Sequence, residues 1–399
     1  MTDEKNNAES APVQPGTVRN GGAPIRLTEI NVAGISAEAA RPGSTVSVFT
    51  RHGVTSEDPL FQRAAPQLSS IANAAAARDG KALAIERANA VLIVIHADKS
   101  ADVWSDSAAV VVNMRAKRDM VAGSVVFEND IADVVGLWFP DVEFVQTDQI
   151  IVLIREGFRF LLFFDFNPDG RLDIEGAKKD LGRLYRRIKY SDIYSLVENV
   201  AALSGLIKLG WFPFIEIMHG DEFNSLAMSM EAGFPMEDPE AKLLAAFTED
   251  RLEKMFRRWM AIPSFKQHEP ILRAGLDAFK SGNAIAAIKI LLSEIEGLLN
   301  DAYFAVTGER TRHIKKLIEF CSNAAAEKSG SADTLFLPSA FGQYLTEYTY
   351  AEFDHTTDTG SAGSRHAVGH GAAPADTYTL ARALQAILTL DQLGFYLSH

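Results

Sequence analysis

The sequence predicts an α+β protein in which an N-terminal sheet-containing domain is followed by an all-α C-terminal bundle. Between Ile25 and about Pro168, short apolar runs alternate with turn residues, a pattern typical of strands. After Gly233–Pro239, which carries two prolines and two acidic residues, apolar residues recur every three to four positions, as in amphipathic helices. We therefore expect a disordered tail over 1–24, an α+β domain of unknown role over 25–190, connecting helices over 191–240 and a helical bundle over 241–399.

Composition narrows the class of protein and its partners. Of 399 residues, 47% are apolar and 23% charged, as in soluble globular proteins large enough for two domains. The net charge of -13 argues against nucleic-acid binding over the whole surface of the protein, although a local basic pocket is compatible with it. A single cysteine, Cys321, excludes internal disulfides and fits a reducing, cytoplasmic setting. No apolar run approaches the ~18 residues that span a bilayer, and Met1–Pro24 does not resemble a signal peptide.

The N-terminal domain carries strand patterns and one helical pattern. The predicted strands are Val91–Ile95, Ala108–Val112, Ser124–Phe127, Gln149–Ile154 and Phe158–Phe166. The alanine-rich segment Ala64–Arg87 predicts a helix that is broken at Gly80. No glycine-rich phosphate loop follows a strand, so nucleotide binding of the P-loop or Rossmann kind is not indicated.

The segment Asp165–Asp173 imitates a calcium loop, with oxygen ligands at positions one, three, five and nine and Gly170 at position six. Position twelve, where a bidentate glutamate belongs, is Gly176, and Pro168 occupies position four. The preceding segment has a strand pattern instead of a helical one. We therefore predict a strand-to-helix turn, with Asp173 close to the N-cap of the next helix.

That helix, about Ile174–Tyr190, is the most basic stretch of an acidic chain. Its cations are Lys178, Lys179, Arg183, Arg186, Arg187 and Lys189. These cations are compatible with binding to a phosphate backbone. The favoured interpretation is a solvated helix face on which the aliphatic parts of the side chains cover apolar surface. The remaining helical patterns cover Asp192–Lys208, Glu216–Met230, Ala241–Met260, Ile271–Lys280, Ala284–Thr307, Arg312–Lys328, Ser339–Phe353 and Tyr378–Leu397. Short turns between helices predict an antiparallel bundle.

The candidate site is Ser364–Gly371, which follows the glycine/threonine-rich run His355–Gly363. Arg365 offers a planar donor fork that suits a phosphate, while His366 and His370 exchange protons near neutral pH. Such a set can bind an RNA phosphodiester and assist attack by the 2′-hydroxyl without a metal or a cofactor. On one helix, residues five apart differ by roughly 140° and about 7.5 Å, so Arg365 and His370 would flank a groove. Two copies of the bundle would form such a groove.

Two other interpretations of this segment stay open. His366 and His370 share a helix face and could hold zinc, but a third ligand would have to come from elsewhere, and no glutamate follows His366 to give the metalloprotease pattern. Alternatively, the segment is a helix start in which the histidines are hydrogen-bonded scaffold.

The C-terminal region resembles the HEPN superfamily of helical-bundle domains. Arg365 followed after four residues by His370 matches the HEPN motif, and Asn283–Leu299, with its Ile-Glu-Gly-Leu-Leu element, resembles an earlier helix of HEPN-like proteins linked to abortive infection. Ser364–Gly371 followed by Leu380–Leu397 resembles their C-terminal motif and closing helix. The resemblance covers about Ala241–His399 and leaves the sheet domain outside it.

The resemblance implies a bundle that dimerises and places Arg365 and His370 of both subunits in one RNase cleft. Such proteins typically act as metal-independent endoribonucleases, often as toxins or antiviral effectors. His366 stands where the family commonly has Asn, and many HEPN domains are non-catalytic binding or dimerisation modules, which is the alternative function. Glu296, on the second matched helix, is a candidate orienting partner for a site histidine, or pairs only locally. The sheet domain would then sense a trigger or restrain the nuclease.

Overall fold

The computed structural model describes residues 22–331, 333–352 and 360–398, and these fall into two units. The first unit comprises residues up to Val112 together with Leu137–Tyr185, and the second comprises Asn113–Gly136 and residues from Arg186 onward. A sheet dominates the first unit and helices the second, which confirms the α+β class. The predicted tail lies outside the described residues except for 22–24.

Ten strands are described, and six of them form one antiparallel sheet. In chain order they are β1 (Ile25–Leu27), β2 (Ile35–Ser36), β3 (Val48–Phe49), β4 (Arg51–Thr55), β5 (Ala90–Ile95), β6 (Ala101–Ser105), β7 (Val111–Ala116), β8 (Ile131–Trp138), β9 (Gln149–Glu156) and β10 (Arg159–Asp165). The six-stranded sheet has the order β1-β6-β5-β9-β10-β4. The pairs β2–β3 and β7–β8 form two small separate sheets.

Helix α1 (Pro59–Arg78) packs on the six-stranded sheet through an alanine-rich stripe. The small alanine side chains of the helix pack with the buried residues of β5, β9 and β10 in one apolar core. The helix begins five residues before the predicted start, since the Asp58 carboxylate accepts the N–H of Leu60 at 2.7 Å and Pro59 occupies the first helical position.

The predicted strand Ser124–Phe127 is wrong. Val125, Val126 and Phe127 are exposed, by 74%, 55% and 64%, in a segment that leads into β8. Asp130 accepts the N–H of Phe127 and turns the chain just before the strand. The sequence pattern missed β8 because Asp133 interrupts its apolar run, and only the structure shows that this buried carboxylate pairs with Arg186 at 3.2 Å.

The described residues contain thirteen further α-helices after α1, and all but the first of them lie wholly in the second unit, which is called the helical unit below. They are α2 (Ile174–Lys189), α3 (Ser191–Glu198), α4 (Val200–Lys208), α5 (Asp221–Glu231), α6 (Glu237–Ala246), α7 (Glu249–Met260), α8 (Pro263–Lys266), α9 (Glu269–Lys280), α10 (Ala284–Thr307), α11 (Ile314–Ser329), α12 (Pro338–Tyr344), α13 (Arg365–Gly369) and α14 (Leu380–Leu397). The division between the units falls within α2, after Tyr185. Helix α12 continues into a π-helical turn over Leu345–Thr349.

Two of the predicted helices are each two helices. Ala241–Met260 is broken before Thr248, whose hydroxyl accepts the N–H of Arg251 and so starts α7. Asp192–Lys208 is broken at Asn199, whose side chain accepts two N–H groups of α4 at 3.2 Å. In both segments a capping residue interrupts an apolar pattern that continues unchanged through it.

Helix α10 lies at the centre of the contacts that position the site. It contacts α9, α11, α13 and α14. Gly275 of α9 allows the close approach of α9, because a Cβ there would lie 2.4 Å from the Leu291 side chain. Within the part of the chain that the structure describes, no helix combines the length and apolar character needed to cross a membrane.

Candidate functional site

The site segment folds into the short helix α13, which is held at both ends. The Ser364 hydroxyl donates to the Ala351 carbonyl at 2.7 Å and accepts the N–H of Ala367 at 3.3 Å, as an N-cap does. Ala367 is fully buried, and α13 contacts α10. Gly371 ends the segment with a φ of 70°, a conformation that favours glycine. Of the preceding run His355–Gly363, residues 355–359 lie outside the described residues.

Arg365, at the first position of α13, forms an ion pair with α10. Its Nη2 lies 2.6 Å from Oε2 of Glu296, and the two side chains are 32% and 24% exposed. The Arg365 Nε is buried and has no hydrogen-bond acceptor among the described residues. One carboxylate therefore orients the guanidinium, and the exposed third of the side chain is the part that another acceptor can reach.

A groove of about 410 Å³ opens beside this ion pair. Arg365, His366 and His370, all predicted from the sequence, line it together. Val368 and Gly369 contribute from the same helix, and Lys289, Leu292 and Ser293 contribute from α10. The structure thus places a guanidinium, an ammonium and two imidazoles on one cavity, which is a suitable arrangement for a phosphodiester.

Among the described residues, the ion pair of Glu296 is with Arg365 and not with a histidine. The sequence left its partner open between a site histidine and a local contact, and the structure pairs its carboxylate with Arg365. The pairing arises because α13 presents its first residue to α10. Glu296 therefore supports the cation of the site from behind and is not among the residues that line the groove.

The ring of Tyr350 lies beside that of His366. The two rings are 6.1 Å apart and tilted by 59°. The Tyr350 hydroxyl is buried and has no hydrogen-bond partner among the described residues. Burial raises the pKa of Tyr350, and the nearby Glu296 carboxylate raises it further, so the phenol stays neutral. A neutral ring beside His366 limits the positions that the imidazole can adopt.

The sequence interpretation missed Lys289 and Ser293. Both are exposed on α10, and with Glu296 they occupy positions i, i+4 and i+7 of one helix face. That spacing was visible in the sequence. What was not visible is that this face of α10 contacts α13.

Asp165 and Asp173, the first and last carboxylates of the calcium-like segment, contact other groups of the protein. In the described residues no group of three or more His, Cys, Asp or Glu side chains is placed to hold a metal ion. The Asp165 carboxylate lies 3.6 Å from Nε of Arg51, and Asp173 accepts the N–H of Gly176 at 2.9 Å. Asp173 thus precedes α2 as an N-cap, as predicted.

The basic helix α2 is largely paired with carboxylates. Arg186 is 3% exposed and contacts Asp133 and Asp333, while Arg187 contacts Asp333 and Glu198. Lys178 pairs with Glu175, Arg183 with Asp180 and Lys189 with Glu128. These pairs favour a structural role for α2 over a phosphate-binding surface.

Comparison with protein-family models, with curated proteins and with solved structures finds no match to this chain.

Proposed function

We propose that the helical unit is a HEPN-type domain and that the protein is a metal-independent endoribonuclease. The observation that carries the proposal is the single groove lined by Arg365, His366 and His370. A fixed cation beside two imidazoles is the set of groups that cleavage of RNA by its own 2′-hydroxyl requires.

The reaction follows from the roles of these groups. Arg365 binds a non-bridging oxygen of the scissile phosphate and stabilises the charge that develops there. One imidazole takes the proton of the 2′-hydroxyl as that oxygen attacks phosphorus. The bond from phosphorus to the 5′-oxygen breaks, and a protonated imidazole supplies the proton to the leaving oxygen. His370 is the principal acid/base and His366 assists it, giving a 2′,3′-cyclic phosphate and a 5′-hydroxyl end.

Assembly and biological role are part of the same proposal. The protein acts as a cytoplasmic homodimer joined through the C-terminal bundle, with both grooves on one RNA-binding cleft. It serves as a defence or toxin effector, and the sheet unit senses a trigger or restrains the nuclease. The support for dimerisation is that the groove is an open cleft that a second copy can close from the other side.

The test is incubation of bulk RNA in EDTA with the wild type and with His370→Ala and Arg365→Ala. We expect each substitution to lower cleavage by on the order of 10²- to 10⁴-fold, because each removes a group that acts in the transition state. His313→Ala is the matched control, since His313 is also exposed but precedes α11 and does not line the groove. Circular dichroism checks that all variants are folded. Unchanged cleavage by purified His370→Ala would remove the proposal.

The alternative is a non-catalytic HEPN-like module that binds RNA, a nucleotide or a partner protein. One observation favours it: Glu296 already contacts Arg365 at 2.6 Å, so a phosphate has to share the guanidinium with a carboxylate. Tight RNA binding with no cleaved product, with or without EDTA, would support this alternative.

A further inference from the structure

Lys289 is a second cation of the groove. Its position on α10 precedes Glu296 by seven residues, which is about two turns or roughly 10.5 Å along the axis. Two turns bring the side chains back to nearly the same direction, so Lys289 and the Arg365–Glu296 pair lie on one face of α10 and are displaced along it.

The contacts of Lys289 leave its charge available to a ligand. Among the described residues no carboxylate forms an ion pair with it, and its ammonium lies 5.9 Å from the ring centroid of Tyr378. A cation held near an aromatic face keeps its positive charge. By contrast, the partly buried side chains of Lys178 and Lys280 both contact carboxylates.

We infer that Lys289 binds a second phosphate of single-stranded RNA, next to the one held by Arg365. This inference rests on the proposed function. The two cations line one groove but are offset along α10, so they contact successive phosphates of one strand and not two oxygens of the same phosphate. The ligand is therefore an oligonucleotide with consecutive phosphodiesters, and a mononucleotide or cyclic phosphate occupies only half of the site.

The experiment measures equilibrium binding of a labelled short single-stranded RNA over a salt series. His370→Ala is the background for all variants, so that the RNA stays intact. We expect Lys289→Gln to weaken binding on the order of tenfold at low salt and to reduce the slope of log K against log salt by about 0.7, because one phosphate contact is lost. Lys289→Arg retains the cation and restores both values. Lys242→Gln, at an exposed lysine of α6 outside the groove, leaves both unchanged.

The outcomes separate this inference from the nuclease proposal. If Lys289→Gln behaves like Lys242→Gln while the wild type cleaves RNA, the inference fails and the nuclease proposal stands. If the slope falls but the wild type cleaves nothing, the second phosphate contact stands and the nuclease proposal fails. If the chain does not bind RNA at all, both fail.

Discussion

Two ion-pair clusters in the helical unit differ in how completely carboxylates surround their cations. In the first, Arg258 contacts Glu216 at 2.8 Å and Asp391 at 3.1 Å. Arg251 contacts Glu216 at 3.0 Å and Glu222 at 2.6 Å, and Lys117 contacts Glu216 at 3.3 Å. In the second, the one ion pair of Arg365 in the described structure joins it to Glu296, beside an open groove.

The difference shows which cation is available to a ligand. The first cluster balances three cations with three carboxylates. Burial alone would raise the pKa of Glu216, but Lys117, Arg258 and Arg251 hold it below its usual value, so the carboxylate stays ionised. A network in which each charge is neutralised stabilises the fold and has little to offer a phosphate. Arg365, with one partner and a groove beside it, keeps donors for one.

The largest expected effect is on stability and comes from the first cluster, around Glu216, which is called the saturated cluster because each of its cations contacts a carboxylate. Asp391→Ala leaves Arg258 without one of its carboxylates and the Trp259 Nε1 without its acceptor at 2.8 Å. Because a largely buried cation then has one carboxylate fewer and a buried indole N–H has lost its acceptor, we expect the free energy of unfolding to fall by about 3–5 kcal/mol. Chemical denaturation followed by tryptophan fluorescence measures it.

Asp277→Ala is the control for that change. Asp277 is 54% exposed and contacts Lys280, so its removal should cost less than about 1 kcal/mol. If Asp391→Ala lowered the free energy of unfolding no more than Asp277→Ala does, the saturated cluster would not be a network that stabilises the fold.

The next largest effect is on activity and tests the second cluster, which is the Arg365–Glu296 pair beside the groove. Glu296→Ala removes the carboxylate that orients Arg365 and competes with phosphate. Arg365 is a third exposed and can be hydrated, so we expect a stability loss of no more than about 1 kcal/mol. RNA should bind more tightly because a negative charge is gone, while kcat should fall on the order of tenfold because the guanidinium is no longer held in position. Steady-state kinetics separate KM from kcat, and weaker RNA binding would contradict the assigned role.

Local signals in the sequence predicted much of this architecture, and long-range contacts account for what they missed. Helix α10 was predicted with its observed bounds from its apolar spacing and from Gly308. The structure shows that Asn283 caps its start and that Gly308 ends it with a φ of 74°. Arg365, His366 and His370 were predicted as a set because they lie within six residues of one another in the sequence.

The contacts of the site could not be predicted in the same way. The contact between Glu296 and Arg365 depends on the packing of α13 against α10, and so does the position of Lys289 on the groove. No local sequence pattern encodes that packing. The saturated cluster also depends on long-range contacts, since Lys117 and Asp391 come from distant parts of the chain.

The smallest expected effect concerns a third cluster, in which two carboxylates flank a histidine whose charge changes with pH. The two ring nitrogens of His268 lie 2.6 Å from Glu294 and 2.8 Å from Asp301. Burial opposes the imidazolium, but hydrogen bonds and charge from Asp301 and Glu294 prevail and raise the pKa of His268 above 6.5. Its contribution to stability is therefore complete below pH 6.5 and is lost as the pH rises through the folded pKa.

We expect the free energy of unfolding of the wild type to fall relative to that of His268→Gln as the pH rises above 6.5, with a change smaller than those in the other two clusters. Denaturation midpoints of both chains across this range measure the difference. The variant is needed because His96 lies between Asp148 and Asp102 in the same way, so its pKa is also raised and the wild-type profile contains both histidines. Subtracting the His268→Gln profile leaves the contribution of His268 alone. A difference that does not change with pH would mean that the two carboxylates do not stabilise the imidazolium.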